Sequence, residues 1–118
     1  MRAKREAQIA NVHKLAVATA YLIAVKTELP IEMVEAYDDY VGPGYRQPTD
    51  KMVDAIAMLA SEEGIFLDPV YSGKGMAGMI GLIEKGVLKK GETVVFNHTG
   101  GSAALFAYEH LFSKQRRG

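Results

Sequence analysis

Apolar and polar positions divide the chain into helix-like and strand-like segments. Residues 4–26 contain no glycine or proline, and their second half is apolar on nearly every side, which predicts a well-covered helix. Leu29-Pro30 ends it. In 31–40, "MVEAYDDY" predicts a strand through Val34, Ala36 and Tyr37. "VGPGYRQP", residues 41–48, is loop, with two glycines and two prolines in eight residues. Thr49 reads as an N-cap, with Asp50 favouring the positive end of the helix dipole. Met52, Val53, Ile56, Leu59 and Ala60 then recur at helical spacing. Gly64 suits the left-handed residue just past that helix. A buried strand is predicted over 65–67, a helix over 76–83 ending near Gly86, and a turn at "KKGE". The clearest strand is 93–96, β-branched and aromatic. "NHTGGS" forms a second polar corner before a final helix over 103–112.

The order is α-β-α-β-α-β-α. It predicts an α/β fold, with crossover helices covering a parallel sheet in three layers. Ligands of such sheets bind beyond the carboxyl ends of the strands. "VGPGYRQPT", "DPVYSGKG" and "HTGGS" all fall there and should lie side by side. Three strands leave two unprotected edges and few interior positions, the pattern of a sheet belonging to something larger.

Composition narrows the chemistry. The 118 residues suffice for one domain, and 48% hydrophobic with 24% charged residues describes an ordinary globular chain. Fourteen basic residues balance fourteen acidic ones, which gives no electrostatic case for nucleic acid or an anionic membrane. The basic clusters lie at the termini, at Arg2, Lys4 and Arg5 and at Lys114, Arg116 and Arg117. The apolar stretch from Leu15 to Val25 would rise about 16 Å as a helix, short of a hydrocarbon core of about 30 Å. Without cysteine there is no thiolate chemistry and no disulfide, which fits a reducing cytoplasm. His13, His98 and His110 show no ligand spacing, so no metal site is expected.

The three loops carry the candidate chemistry. "SGKG" fails as a phosphate loop, because the leading glycine is missing and Gly75 stands where a hydroxyl residue is required. "GKGMAG" spells a dinucleotide pattern, but its acidic partner would fall on Glu92 in the "KKGE" turn. The simpler reading is that these glycines allow a tight turn and close helix packing. Tyr71 stands at a strand end, where its phenol either shuttles a proton or is a boundary ring with a wet hydroxyl. At "HTGGS", Gly100 and Gly101 allow a close ligand approach and Thr99 offers a hydroxyl; a plain helix cap by Ser102 is the other reading. His98 reads equally as a base or as a polar strand-end residue. Met52, Met58, Met76 and Met79 fall at apolar helical positions and read as core.

Together, "DDYVGPGYRQPTDKM", "EGIFLDPVYSGKGMAGMI" and "VVFNHTGGSAALFAY" resemble the C-terminal part of the D-cysteine desulfhydrase and 1-aminocyclopropane-1-carboxylate deaminase family. These are pyridoxal-phosphate enzymes of the tryptophan-synthase-β-like fold, fold type II. The resemblance implies the cofactor pyridoxal 5'-phosphate, a small amino-acid substrate and a homodimer for the intact enzyme. It implies active-site roles for Tyr45 and Tyr71, with Tyr71 near the substrate. Ser72 and Thr99 match positions beside the pyridine nitrogen, and Gly100 lies at the same cofactor corner. The family's deaminases have "VYEG" where this chain has "VYSG", so Ser72 points to the desulfhydrase side. A cysteate sulfo-lyase has nearly the same pattern.

In that family the Schiff-base lysine and the cofactor-phosphate loop lie in the N-terminal portion, and no lysine here matches the Schiff-base motif. Lys74 is a poor substitute, since the family has a lysine there as well as the catalytic one. The expectation is that residues 1–118 are a C-terminal fragment or a truncated reading frame within the large domain, inactive alone. An alternative of another class is a non-catalytic fragment that needs a partner chain to complete its sheet.

Overall fold

The computed structural model describes residues 5–113. The terminal basic residues Arg2, Lys4, Lys114, Arg116 and Arg117 lie outside them, as does the predicted helix start at residue 4. The chain forms two compact units that meet in sequence between Asp38 and Asp39.

In the first unit, α1 spans Arg5–Leu22 as the glycine-free pattern predicts. The expected cover is absent: none of its residues is buried, and Leu15, Tyr21 and Leu22 are largely exposed. A helix apolar all round needs partners on every side. The His13 ring, 2.6 Å from the Leu29 carbonyl through Nε2, ties the chain after α1 back to it. The strand expected over 31–40 begins instead as a 3-10 turn, Ile31–Met33. Pro30 fixes φ at −65°, and its carbonyl accepts from Met33 N–H at 3.1 Å, so the chain turns before it extends at Val34.

The second unit holds the core. Helix α2 spans Asp50–Glu63 between the two signals read in the sequence. Thr49 Oγ1 accepts from Met52 N–H at 3.3 Å, and Gly64 closes the helix at φ 67°. Helix α3 spans Ser72–Glu84, four residues earlier than the apolar pattern indicates, and Gly86 turns the chain away at φ 71°. The two helices pack through Met52, Ala55 and Ile56 on α2 and Met76 and Ala77 on α3, with Leu67 fully buried among them. Each large apolar side chain so buried contributes about 1.5–3 kcal/mol. Gly73 makes this approach possible: a Cβ there would lie 2.6 Å from Ile56 Cδ1 and 2.8 Å from the Asp68 carbonyl oxygen. Met58, read as core, is about half exposed at the edge of the cleft between α2 and α3.

The final segment departs from one α-helix. Ser102–Tyr108 is a 3-10 helix, and only Glu109–Phe112, α4, is α-helical. Leu105, Leu111 and Phe112 reach the core, but Phe106 faces solvent, so packing rewards only part of the segment. No strand forms among the described residues. Segments 65–67 and 93–96 keep their apolar character without a ladder, and Val95 is 89% exposed. A strand exists only by pairing, and neither segment has a neighbour to supply the bonds. No helix among the described residues is long and apolar enough to cross a membrane.

Candidate functional site

The corner between Leu67 and α3 is organised by Asp68. Its buried carboxylate accepts from the N–H groups of Val70 and Tyr71 through Oδ2, each at 2.7 Å. Oδ1 accepts from Ser72 N–H at 2.8 Å and from the Ser72 hydroxyl at 2.6 Å. Asp68 N–H returns a bond to Ser72 Oγ at 2.8 Å, and the Asp68 carbonyl accepts from Gly73 N–H at 2.8 Å. These bonds satisfy the open amides that begin a helix, which is why α3 starts at Ser72. Burial pushes the Asp68 carboxyl up, but the bonds from Ser72, Tyr71 and Val70 together hold it below the usual carboxylate range.

This turn aims Tyr71 outward. Its hydroxyl donates to the Tyr45 hydroxyl at 3.0 Å, and the rings lie 6.0 Å apart at a 55° tilt. Both remain open, Tyr45 69% and Tyr71 62% exposed. The bond to Tyr45 raises the Tyr71 phenol above its ordinary value, with desolvation and nearby charge adding to it. Tyr45 comes from the 41–48 loop, next to Arg46, whose Nε reaches the Tyr108 hydroxyl at 3.5 Å. The loop is held from α3 by the Lys74 ammonium, which donates to the carbonyls of Val41 and Gly44.

The third loop joins from the other side. The Phe66 carbonyl accepts from Ser102 Oγ at 2.8 Å and pairs with His98 Nε2 at 2.9 Å. Because His98 Nδ1 accepts from Gly100 N–H at 3.0 Å, the ring proton sits on Nε2. Nε2 thus staples this loop to the segment before Asp68, and Nδ1 braces the loop internally, so both ring nitrogens are engaged. Ser102 is likewise not the helix cap: Gly101 precedes the 3-10 helix, with φ 88°. A Cβ on Gly101 would come within 3.3 Å of the Asp68 carboxylate, so the glycine lets the two corners meet. Gly100 also has a left-handed φ of 90°, and Thr99 is exposed beside it.

The three loops expected to lie together do so. Tyr45 and Tyr71 touch. Ser72 lies in the same corner, but its hydroxyl is turned inward and engaged by Asp68. Thr99 and Gly100 sit on the loop packed against that corner. Sequence reasoning missed Asp68 and Lys74 as organisers. For Asp68 a signal existed, a carboxylate four residues ahead of a serine at the start of an apolar helix. For Lys74 none did, because its partners are backbone carbonyls some thirty residues away. Among the described residues no group of three or more His, Asp or Glu is arranged to hold a metal.

The family described as pyridoxal-phosphate dependent enzyme matches residues 2–100. Over 101 residues the chain is 41% identical to a D-cysteine desulfhydrase of Serratia proteamaculans, covering 86% of this chain and 30% of that protein. Over 103 residues it is 39% identical to a 1-aminocyclopropane-1-carboxylate deaminase of Rhizobium rhizogenes, covering 87% and 31%. Over 75 residues it is 48% identical to a D-cysteine desulfhydrase of Salmonella newport, covering 64% and 23%. The chain therefore spans less than a third of the length of each of these relatives.

Proposed function

The chain belongs to the pyridoxal-phosphate dependent enzyme family, and from that premise we propose that it carries the tyrosine side of the active site of a C–S lyase acting on D-cysteine. The family has the tryptophan-synthase-β-like fold type II and depends on pyridoxal phosphate. The observation that carries the reading is the Tyr71–Tyr45 hydroxyl pair, 3.0 Å apart and open to solvent beside Ser72.

The corner suits the ring end of the cofactor. It offers a hydroxyl at Thr99 and glycine backbone at Gly100 beside the Ser72 oxygen that Asp68 engages, and no outward carboxylate from Asp68. Ser72 Oγ keeps one lone pair after its bonds with Asp68, which can receive a protonated pyridine N–H but has no hydrogen to give a bare nitrogen; Thr99 stands alongside. Lys74 does not suit the role of cofactor lysine, because its ammonium is buried against two carbonyls. When bound, the cofactor supplies the electron sink that makes β-elimination from an amino acid feasible. Tyr71 orients the substrate and moves a proton at its phenol oxygen, and Tyr45 accepts the hydrogen bond that fixes that phenol's direction. The products would be pyruvate, ammonia and sulfide.

The rest of the reading is proposed at the same level. The chain would be the C-terminal part of a large domain, with the cofactor lysine on another part of the enzyme and no activity of its own. Segments 65–67 and 93–96 would be strands of the family's parallel sheet; the bare face of Val95 supports this. The enzyme would be a cytoplasmic homodimer, which the cysteine-free composition suits. The deaminase stays as a second reading, because the identities to the two kinds of relative, 41% and 39%, are close. Ser72, where the resembled deaminases have glutamate, favours elimination.

The test is an assay of the complete enzyme that carries this chain. D-Cysteine should give pyruvate and sulfide, and Tyr71→Phe should lower kcat about 10²–10⁴-fold. Faster formation of 2-oxobutanoate from 1-aminocyclopropane-1-carboxylate would transfer the assignment to the deaminase. Sulfite released from cysteate would point to the sulfo-lyase. Borohydride treatment of the isolated chain with pyridoxal phosphate should leave no single lysine labelled; stoichiometric labelling at one site would defeat the lysine assignment.

A further inference from the structure

Lys74 has no part in the chemistry just described, yet it is among the most enclosed charged side chains of the second unit, only 8% exposed. It lies in the first helical turn of α3, three residues after Tyr71. Its ammonium donates to the Val41 carbonyl at 2.7 Å and to the Gly44 carbonyl at 3.1 Å. Those carbonyls belong to the loop that carries Tyr45, and Gly44 is its immediate neighbour. One cation thus connects the segment bearing one tyrosine to the helix that begins at the other.

The loop is shaped for this contact. Gly42 sits at φ 73°, and a Cβ there would lie 2.6 Å from Thr49 Cγ2 and 3.9 Å from Lys74 Nζ. The glycine lets two carbonyls turn toward one point, and a compact ammonium with three donors suits that point. The loop's two ends are anchored by Tyr40, whose ring lies against Gly78 and Gly81 of α3, and by Thr49 at the start of α2, but other ties on its middle are weak. Both phenol rings are mostly exposed, so packing does not fix them. The Arg46–Tyr108 contact, at 3.5 Å, is at the limit of a hydrogen bond. A buried ammonium, in turn, requires polar partners, so the loop and the lysine need each other.

We propose that Lys74 is a positioning residue for the tyrosine pair: its ammonium holds the 41–48 loop closed on α3, so that the Tyr45 hydroxyl remains in reach of Tyr71. Its consequence for catalysis rests on the lyase reading above, but the tie itself does not. The test therefore uses the complete enzyme that carries this chain, freed of cofactor, and reads geometry rather than turnover. Nuclear Overhauser cross-peaks between the Tyr45 and Tyr71 rings are recorded at pH 7, assigned by Tyr45→Phe and Tyr71→Phe.

The wild type should show the ring-to-ring cross-peaks. Lys74→Met, which keeps the bulk and removes the charge and donors, should lose them while retaining the cross-peaks within the buried cluster of α2 and α3. Lys74→Arg, which keeps a cation for both carbonyls, should restore them. Persistence of the cross-peaks at wild-type intensity in a folded Lys74→Met variant overturns the proposal. Should Lys74→Met fail to reproduce the wild-type circular dichroism spectrum, the arginine variant decides: cross-peaks kept support the tie, and a folded arginine variant without them overturns it.

Discussion

Asp68 shows how one side chain sets a local structure. Its carboxyl is held below the usual range, so it contributes stability above the unfolded-state value near pH 4 and loses that contribution as pH falls through its lower folded-state value. Stability against urea should therefore fall below about pH 4, and Asp68→Ala should flatten that acid limb while costing about 2 kcal/mol at pH 7. Tyr71 is raised chiefly by the bond it donates to Tyr45, so Tyr45→Phe should lower its ionisation toward the ordinary phenol range, followed by ring carbon shifts. Gly73→Ala should destabilise by about 1–3 kcal/mol in thermal melts, because its methyl meets Ile56 and the Asp68 carbonyl.

At the scale of elements, legibility followed locality. The ends of α2 were plain because Thr49 and Gly64 act on backbone within four residues, and Thr49→Ala should cost about 1 kcal/mol by chemical denaturation. The start of α3 was read four residues late, because the glycines of "SGKG" masked a helical turn that the Asp68 carboxylate stabilises. The strands were legible as composition and absent as structure, since propensity marks a segment that would pair and cannot supply the partner. The convergence of three loops was legible from element order. The bonds that hold them were not, because Lys74 to Val41 and Ser102 to Phe66 span more than thirty residues and follow no period.

Across the whole molecule, apolar surface outruns the core. Leu15, Tyr21, Leu22, Val95 and Phe106 are largely exposed, while among the described residues six hydrophobic ones make up the buried cluster. The isolated chain should bind a dye such as anilinonaphthalene sulfonate and scatter light as assemblies larger than its 12.9 kDa mass. A dye-silent monomer across the concentration range would show that surface to be tolerated. The corner at the start of α3 has a polarity of its own. Since Asp68 is ionised, the Ser72 hydroxyl must point its hydrogen at the carboxylate, and its oxygen can only receive. A visiting atom that carries hydrogen is welcomed there, and one with only lone pairs meets repulsion. The serine thus acts as a hydrogen-bond acceptor alone, its direction set by the carboxylate behind it.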